Sequence, residues 1–307
     1  ILDSAITLPN TEKNKFEIYA DDFEGNESSL FLTEMNRGKK YTVRSKLLFF
    51  KEVYDWIVTH IAVITPNTPL IDLEYYYDTD SLKLINKLIE TFDTGISKVK
   101  IEEISLDELS NAMPKPVFDK VMRHVKSRIE EQENPSFRMT MRSNESFFNI
   151  EVQGHEEPKV TTIRLDHVKS FYDFGFEEES DGTRRLFDLI PLYQKGKENY
   201  VIFVDEIDRS FHTKLTLEFL QKFFEKTEGI KSQIIVTLHD SNVMNLNIFR
   251  QDEIWFVERK EDHSSEIYSL NKFKERFDHS VAKDYLLGRY GAVPNFGIED
   301  WNQEEVD

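Results

Sequence analysis

Two short, unbroken apolar runs, each ending in polar residues and separated by one amphipathic helix, constrain this chain more than any other feature. Tyr200 to Val204 (Tyr-Val-Ile-Phe-Val) stops at Asp205-Glu206, and Gln233 to Leu238 stops at His239-Asp240. Between them Lys214 to Glu228 has a helical apolar pattern, halted by Gly229. A strand that is apolar throughout must be covered on both faces, and the strand–helix–strand order supplies that cover in a parallel sheet. Glu253 to Val257 reads as a third such strand. The C-terminal half is therefore expected to be α/β, with any ligand site at the carboxyl ends of its strands.

Upstream the texture differs. Phe137 to Arg142, Phe147 to Val152 and Val160 to Val168 roughly alternate polar and apolar residues between polar turns, which predicts an antiparallel meander. Ser81 to Glu90 predicts an amphipathic helix closed by Asp93-Thr94-Gly95. Lys115 to Gln132 predicts a second, with Pro116 in its first turn. The charge-dense interval Lys98 to Glu108 reads as part of a projecting helical lobe. Phe16 to Val53 reads as short β-like pieces with turns, and Trp56 to Thr65 as one buried apolar element stopped by Pro66. The charge run Glu258 to His263 reads as the tip of a solvated hairpin.

Charge narrows the functional classes. With 39 Lys+Arg against 57 Asp+Glu, the formal charge is -18, which repels phosphate backbones and argues against broad nucleic-acid binding. There is no cysteine, so disulfides and thiolate-bound zinc are excluded, and a reducing cytoplasm is the expected setting. No apolar run approaches the roughly 20 residues of a membrane span, and no signal peptide is read at the start. The chain begins at Ile1, in what reads as the middle of a folded segment, so it is read as a fragment.

Three short strings can carry chemistry. In Tyr200 to Glu206 a buried strand lifts two carboxylates to its tip, where the first can hold Mg²⁺ and the second can polarise an attacking water. An ordinary strand running into a polar turn has the same pattern. In Ile234 to Asp240 a second apolar strand ends in His239, placed to hydrogen-bond a phosphate or simply to meet solvent. Glu178 to Arg185 opens a helix: Ser180 can cap it, and Gly182 permits close backbone approach, which points free amides and the helix dipole at an anion. A plain N-cap fits the same residues. Arg184, Arg185 and Arg209 read as surface arginines, and the histidines share no metal-ligand spacing.

Order and spacing join the three strings. Ser-x-Gly helix start, acid-tipped strand and histidine-tipped strand follow one another like the signature motif, Walker B motif and switch histidine of ABC-class ATPases. Ser180 to Phe187, Val204 to His212, Thr237 to Asp240, Phe92 to Ile96 and Tyr285 to Pro294 together resemble the AAA-type "domain 15" ABC ATPases. Members are similar to the ATPase components of bacterial anti-phage, abortive-infection and retron-associated systems. The resemblance runs from about residue 28 to about 295.

It implies an ABC-type P-loop NTPase core with an antiparallel β subdomain and a helical insertion. The implied divisions are 1–70 (the rest of an N-terminal lobe), 71–135 (helical insertion) and 136–307 (C-terminal lobe). The implied cofactors are ATP and Mg²⁺: Asp205 would hold the metal, Glu206 would activate water, and His239 would touch the γ-phosphate. Asp208 would belong to a loop at a dimer interface, and Ser180 and the amides near Gly182 would meet a nucleotide bound by a second subunit. The implied partners are a second copy of the chain and a separate effector, a nuclease or toxin. The function expected is ATP-gated dimerisation that controls this effector. A non-hydrolysing scaffold and a DNA-repair-type ATPase are the alternatives. Two departures stand out. No G-x-x-x-x-G-K-[ST] string occurs in the 307 residues, which removes the usual cradle for a β-phosphate, and Asp181 places an acid inside the signature.

Overall fold

The computed structural model describes residues 8–21, 23, 28–66, 73–142, 146–273 and 280–293. Two sheets organise it. The first is parallel, in the order β1 (Ile61–Ile64), β7 (Val201–Val204), β8 (Gln233–Val236), with Ile61↔Val201↔Gln233 at one end and Ile64↔Val204↔Val236 at the other. The second is antiparallel, in the order β2 (Ile96–Ile104), β5 (Lys159–His167), β4 (Phe147–Gln153), β3 (Ser136–Arg142), and β6 (Phe174–Gly175) also pairs with β5. A separate hairpin joins β9 (Trp255–Arg259) to β10 (Ser265–Ser269). The meander and the hairpin agree with the sequence reading. Glu253 to Val257 does not join the parallel sheet, because β9 pairs antiparallel with β10.

Three other expectations are overturned. The stretch from Phe16 to Val53 is helical where it is regular: α1 (Asn10–Asp21), α2 (Phe31–Glu34) and the start of α3 (Leu48–His60) pack around Met35, Leu47 and Phe50. The apolar run Trp56 to Thr65 is not one element. It changes at His60–Ile61 from α3 to β1, and Trp56, Ile57 and Val58 on the helical side are exposed. Lys98 to Ile104 is strand rather than helix. It forms a sheet edge, where cross-strand ion pairs account for the charge: Lys100–Asp166 and Arg164–Glu102 at 2.6 Å, and Lys159–Glu103 at 2.7 Å.

Both expected amphipathic helices form, as α4 (Thr79–Ile89) and α6 (Lys115–Glu130), with α5 (Leu106–Asn111) just before α6. The side chain of Asn86 on α4 completes the edge of β2: it accepts from Val99 N at 2.6 Å and donates to Val99 O at 3.2 Å. The meander is covered on both faces because β4 alternates. Phe147 faces the main core, while Phe148, Ile150 and Val152 pack with Leu109 and Val125 under α6.

The main core joins α4, β2, β5, α7 (Asp181–Leu189), α8 (Leu192–Lys195), β7 and α9 (Thr213–Lys226) through Ile89, Val99, Leu165, Phe187, Tyr193, Ile202 and Phe219, all within 1% of complete burial. Tyr76 lies inside it and donates its hydroxyl to Phe187 O. Burial raises the pKa of this phenol, so Tyr76 remains a neutral donor. The parallel sheet departs from the two-sided burial expected of it. The registered row Val63–Phe203–Ile235 is exposed, at 62%, 37% and 46%.

Candidate functional site

The site grows from the ends of β7 and β8. Asp205 N donates to Ile64 O at 2.8 Å, and Thr237 N donates to Val204 O at 3.0 Å, so the ladder continues one residue past the strands. There the chain after β7 turns sharply. Glu206 and Ser210 sit at φ 47° and 64°, the left-handed region that non-glycine residues adopt only under local constraint.

Those constraints are visible. Thr237 Oγ1 accepts from Glu206 N at 2.8 Å and donates to Asp205 Oδ1 at 2.5 Å, and Thr237 O accepts from Ile207 N at 3.0 Å. Asp208 Oδ2 accepts from His239 N at 2.9 Å and Asp240 N at 2.8 Å. The turn after β7 and the end of β8 are thus stitched together at successive residues. Asp240 in turn accepts from the Thr213 hydroxyl at the start of α9, and that bond, helped by the Asn242 amide, holds its carboxyl below the usual range.

Asp205, Glu206, Asp208 and His239 are therefore brought together, with Glu206 Oε1 3.5 Å from His239 Nε2. The His239 side chain is 82% exposed. Asp208, expected at a subunit interface, uses one carboxylate oxygen to hold the two strand ends.

Ser180 and Gly182 reach the same turn from α7. Ser180 is the N-cap: its Oγ accepts from Thr183 N at 3.1 Å and lies 2.9 Å from Thr183 Oγ1. Gly182 packs against the turn itself, since a Cβ there would lie 2.7 Å from Ser210 O. Asp181 turns outward and pairs with Arg184 at 2.6 Å, so it does not oppose an anion at the helix start. Behind Ser180, Glu179 is buried and its Oε1 is 2.5 Å from His167 Nε2, which fixes α7 to the end of β5.

Two residues at the site escaped sequence reasoning. Thr237 was legible only as part of a string, yet it touches both carboxylate-bearing residues. Arg185, read as a surface arginine, is 7% exposed, and its Nη2 donates to Asp205 O at 3.4 Å. No sequence signal separates it from Arg184.

The donors suit a hard cation. Mg²⁺ is held by one or two carboxylates together with phosphate oxygens and water, and Asp205 offers an exposed carboxylate steadied by Thr237. Among the described residues no group of three or more His, Asp or Glu could hold a metal ion. Among the described residues no helix is long and apolar enough to cross a membrane.

No curated protein matches the chain. A family model described as "AAA domain, putative AbiEii toxin, Type IV TA system" matches residues 21–245 of the 307, a span that contains α7 and the ends of both β7 and β8. The mixed α/β architecture, with parallel and antiparallel sheets, fits a P-loop NTPase-like fold. The chain belongs to this AAA-domain family of P-loop ATPases, a family linked to abortive infection.

Proposed function

We propose that the chain is an ABC-class ATPase subunit, of the "domain 15" kind, whose nucleotide-gated dimerisation controls a separate toxic effector in defence. Asp205 holds Mg²⁺, Glu206 accepts a proton from the attacking water, and His239 hydrogen-bonds the γ-phosphate. Ser180 and the amides near Gly182 face a nucleotide held by a second copy. Asp208 keeps the strand ends in register at that interface.

The observation that carries this reading is the convergence of Asp205, Glu206 and His239 on the carboxyl ends of adjacent parallel strands, tied through Thr237. The bound nucleotide supplies the scissile phosphoanhydride, and these side chains supply the metal ligand, the base and the phosphate contact. The 307 residues carry no P-loop string, so this reading requires amides and a lysine for the β-phosphate beyond those identified in them. Among the described residues β8 pairs only with β7, and the Val63–Phe203–Ile235 row is exposed, which leaves room for a further strand and helix.

The test is Glu206→Gln in the intact polypeptide with Mg²⁺ and ATP. The expected result is tight ATP retention, a stable dimer by light scattering, and hydrolysis reduced by about 10²-fold or more. Hydrolysis at the wild-type rate would refute the catalytic assignment. A wild type that neither binds nor hydrolyses ATP would favour the scaffold role.

A further inference from the structure

Arg184 and Arg185 are indistinguishable as a sequence pair, but a helix turns successive side chains about 100° apart, and here the two part company. Arg184 lies outward against Asp181. Arg185 lies inward, buried, with Nη2 on Asp205 O and with Nε enclosed and without an acceptor among the described residues. Burying a guanidinium and leaving one N–H unused is unfavourable unless the charge itself is needed. Burial opposes its cationic form most, Arg209 opposes it as well, and Glu206 favours it. The residue that carries this carbonyl opens a four-residue stretch with three carboxylates, Asp205, Glu206 and Asp208.

A second contact completes the grip. Gly182, one helical turn before Arg185, seats against Ser210 O, so α7 meets the first carbonyl of the turn at 205 and the last at 210. Glu206, between those two points, and Ser210, at the second, are both left-handed, a conformation that persists only where its surroundings impose it.

We propose that Arg185 is a positioning residue that clamps the carboxylate-bearing turn to α7, so that a contact made at the Ser180 end of the helix is felt at Glu206. The catalytic consequence rests on the ATPase reading above. The mechanical one rests on geometry alone, and the experiment separates the two.

Amide hydrogen exchange and steady-state ATPase are measured on the intact polypeptide as wild type, Arg185→Gln, Arg185→Lys and Arg184→Gln. In Arg185→Gln the amides of Glu206, Ile207, His239 and Asp240 exchange about tenfold faster or more, while those of β3, β4 and α6 keep their wild-type rates. Arg185→Lys, which keeps the charge but loses the fork, falls between, and Arg184→Gln matches wild type. The value of kcat falls about tenfold or more in Arg185→Gln, with KM for ATP changed by less than about threefold, as expected when an aligned group is lost rather than a binding contact. Unchanged exchange at 206–207, or a uniform rise across the whole molecule, overturns the proposal. If Arg185→Gln does not fold, the same comparison is read from Arg185→Lys. A wild type with no ATPase activity defeats the ATPase reading and leaves the exchange data to decide the clamp.

Discussion

Gly182→Ala sets two effects of opposite sign against each other. Gly182 lies in the first turn of α7, where replacing glycine by alanine ordinarily stabilises a helix by about 0.5–1 kcal/mol. Against that gain stands the added methyl, whose carbon would be 2.7 Å from Ser210 O. The obstacle is backbone, so no side chain can swing aside. Either α7 lifts from the turn or the 205–210 segment shifts, and Ser210, already left-handed, has little freedom to yield. Overpacking of this kind costs about 1–3 kcal/mol. Because the obstacle is backbone, the clash wins, with a net loss of up to about 2.5 kcal/mol, roughly a 2–4 °C fall in Tm for each kcal/mol lost in a domain of this size. The assay is urea and thermal unfolding of the two proteins side by side, with the urea m-value checked for constancy. A variant as stable as wild type, or more stable, would show that α7 does not seat on Ser210 O and would undo the clamp argument as well.

Two further predictions concern the same strand ends. Thr237→Val removes the acceptor for Glu206 N and the donor to Asp205 Oδ1. It should lower stability by about 1–3 kcal/mol, whereas Thr237→Ser, which keeps the hydroxyl, should stay within about 0.5 kcal/mol of wild type; urea midpoints decide. Asp240 has a depressed pKa, chiefly through the Thr213 hydroxyl, so its contribution is present above the unfolded carboxylate value of about 4 and is lost as pH falls through the lower folded value. Below about pH 4 wild type should therefore lose more stability than Thr213→Val, and parallel pH profiles for the two proteins would contradict the assignment.

The legible parts of the fold were those set by local pattern. Apolar runs closed by polar residues gave β7 and β8, 3.6-residue periodicity gave α4, α6 and α9, and alternation gave the meander. What was lost depended on long-range pairing. β1 hides in an apolar run shared with the end of α3, and only its registration against β7, about 140 residues away, makes it a strand of the parallel sheet. The charge in β2 resembles a solvated helix until Arg164, Asp166 and Lys159 of β5 are placed opposite it. At the site, the strings around Asp205 and His239 could be read because strand ends are continuous in sequence. Arg185 could not, because polarity does not mark the outward face of α7: Thr183 and Asp188 are buried alongside Leu186, Phe187 and Leu189, while Asp181 and Arg184 are turned outward.

The pairing of Glu206 with His239 owes little to its own attraction. A contact of 3.5 Å made by a histidine that is four-fifths exposed contributes little in water. Their proximity is imposed instead by four bonds that involve neither side chain. Glu206 N and Ile207 N are fixed on Thr237, and His239 N and Asp240 N are fixed on Asp208. Removing the histidine ring should therefore leave Glu206 where it is, and removing Glu206's carboxylate should leave His239 at its strand end. A site built this way holds its reactive groups in place before any ligand arrives while leaving both side chains free to exchange each other for a phosphate or a water. That is the preorganisation the proposed ATPase reading requires, and on that reading the vulnerable points are Thr237, Asp208 and Arg185 rather than Glu206 and His239 themselves.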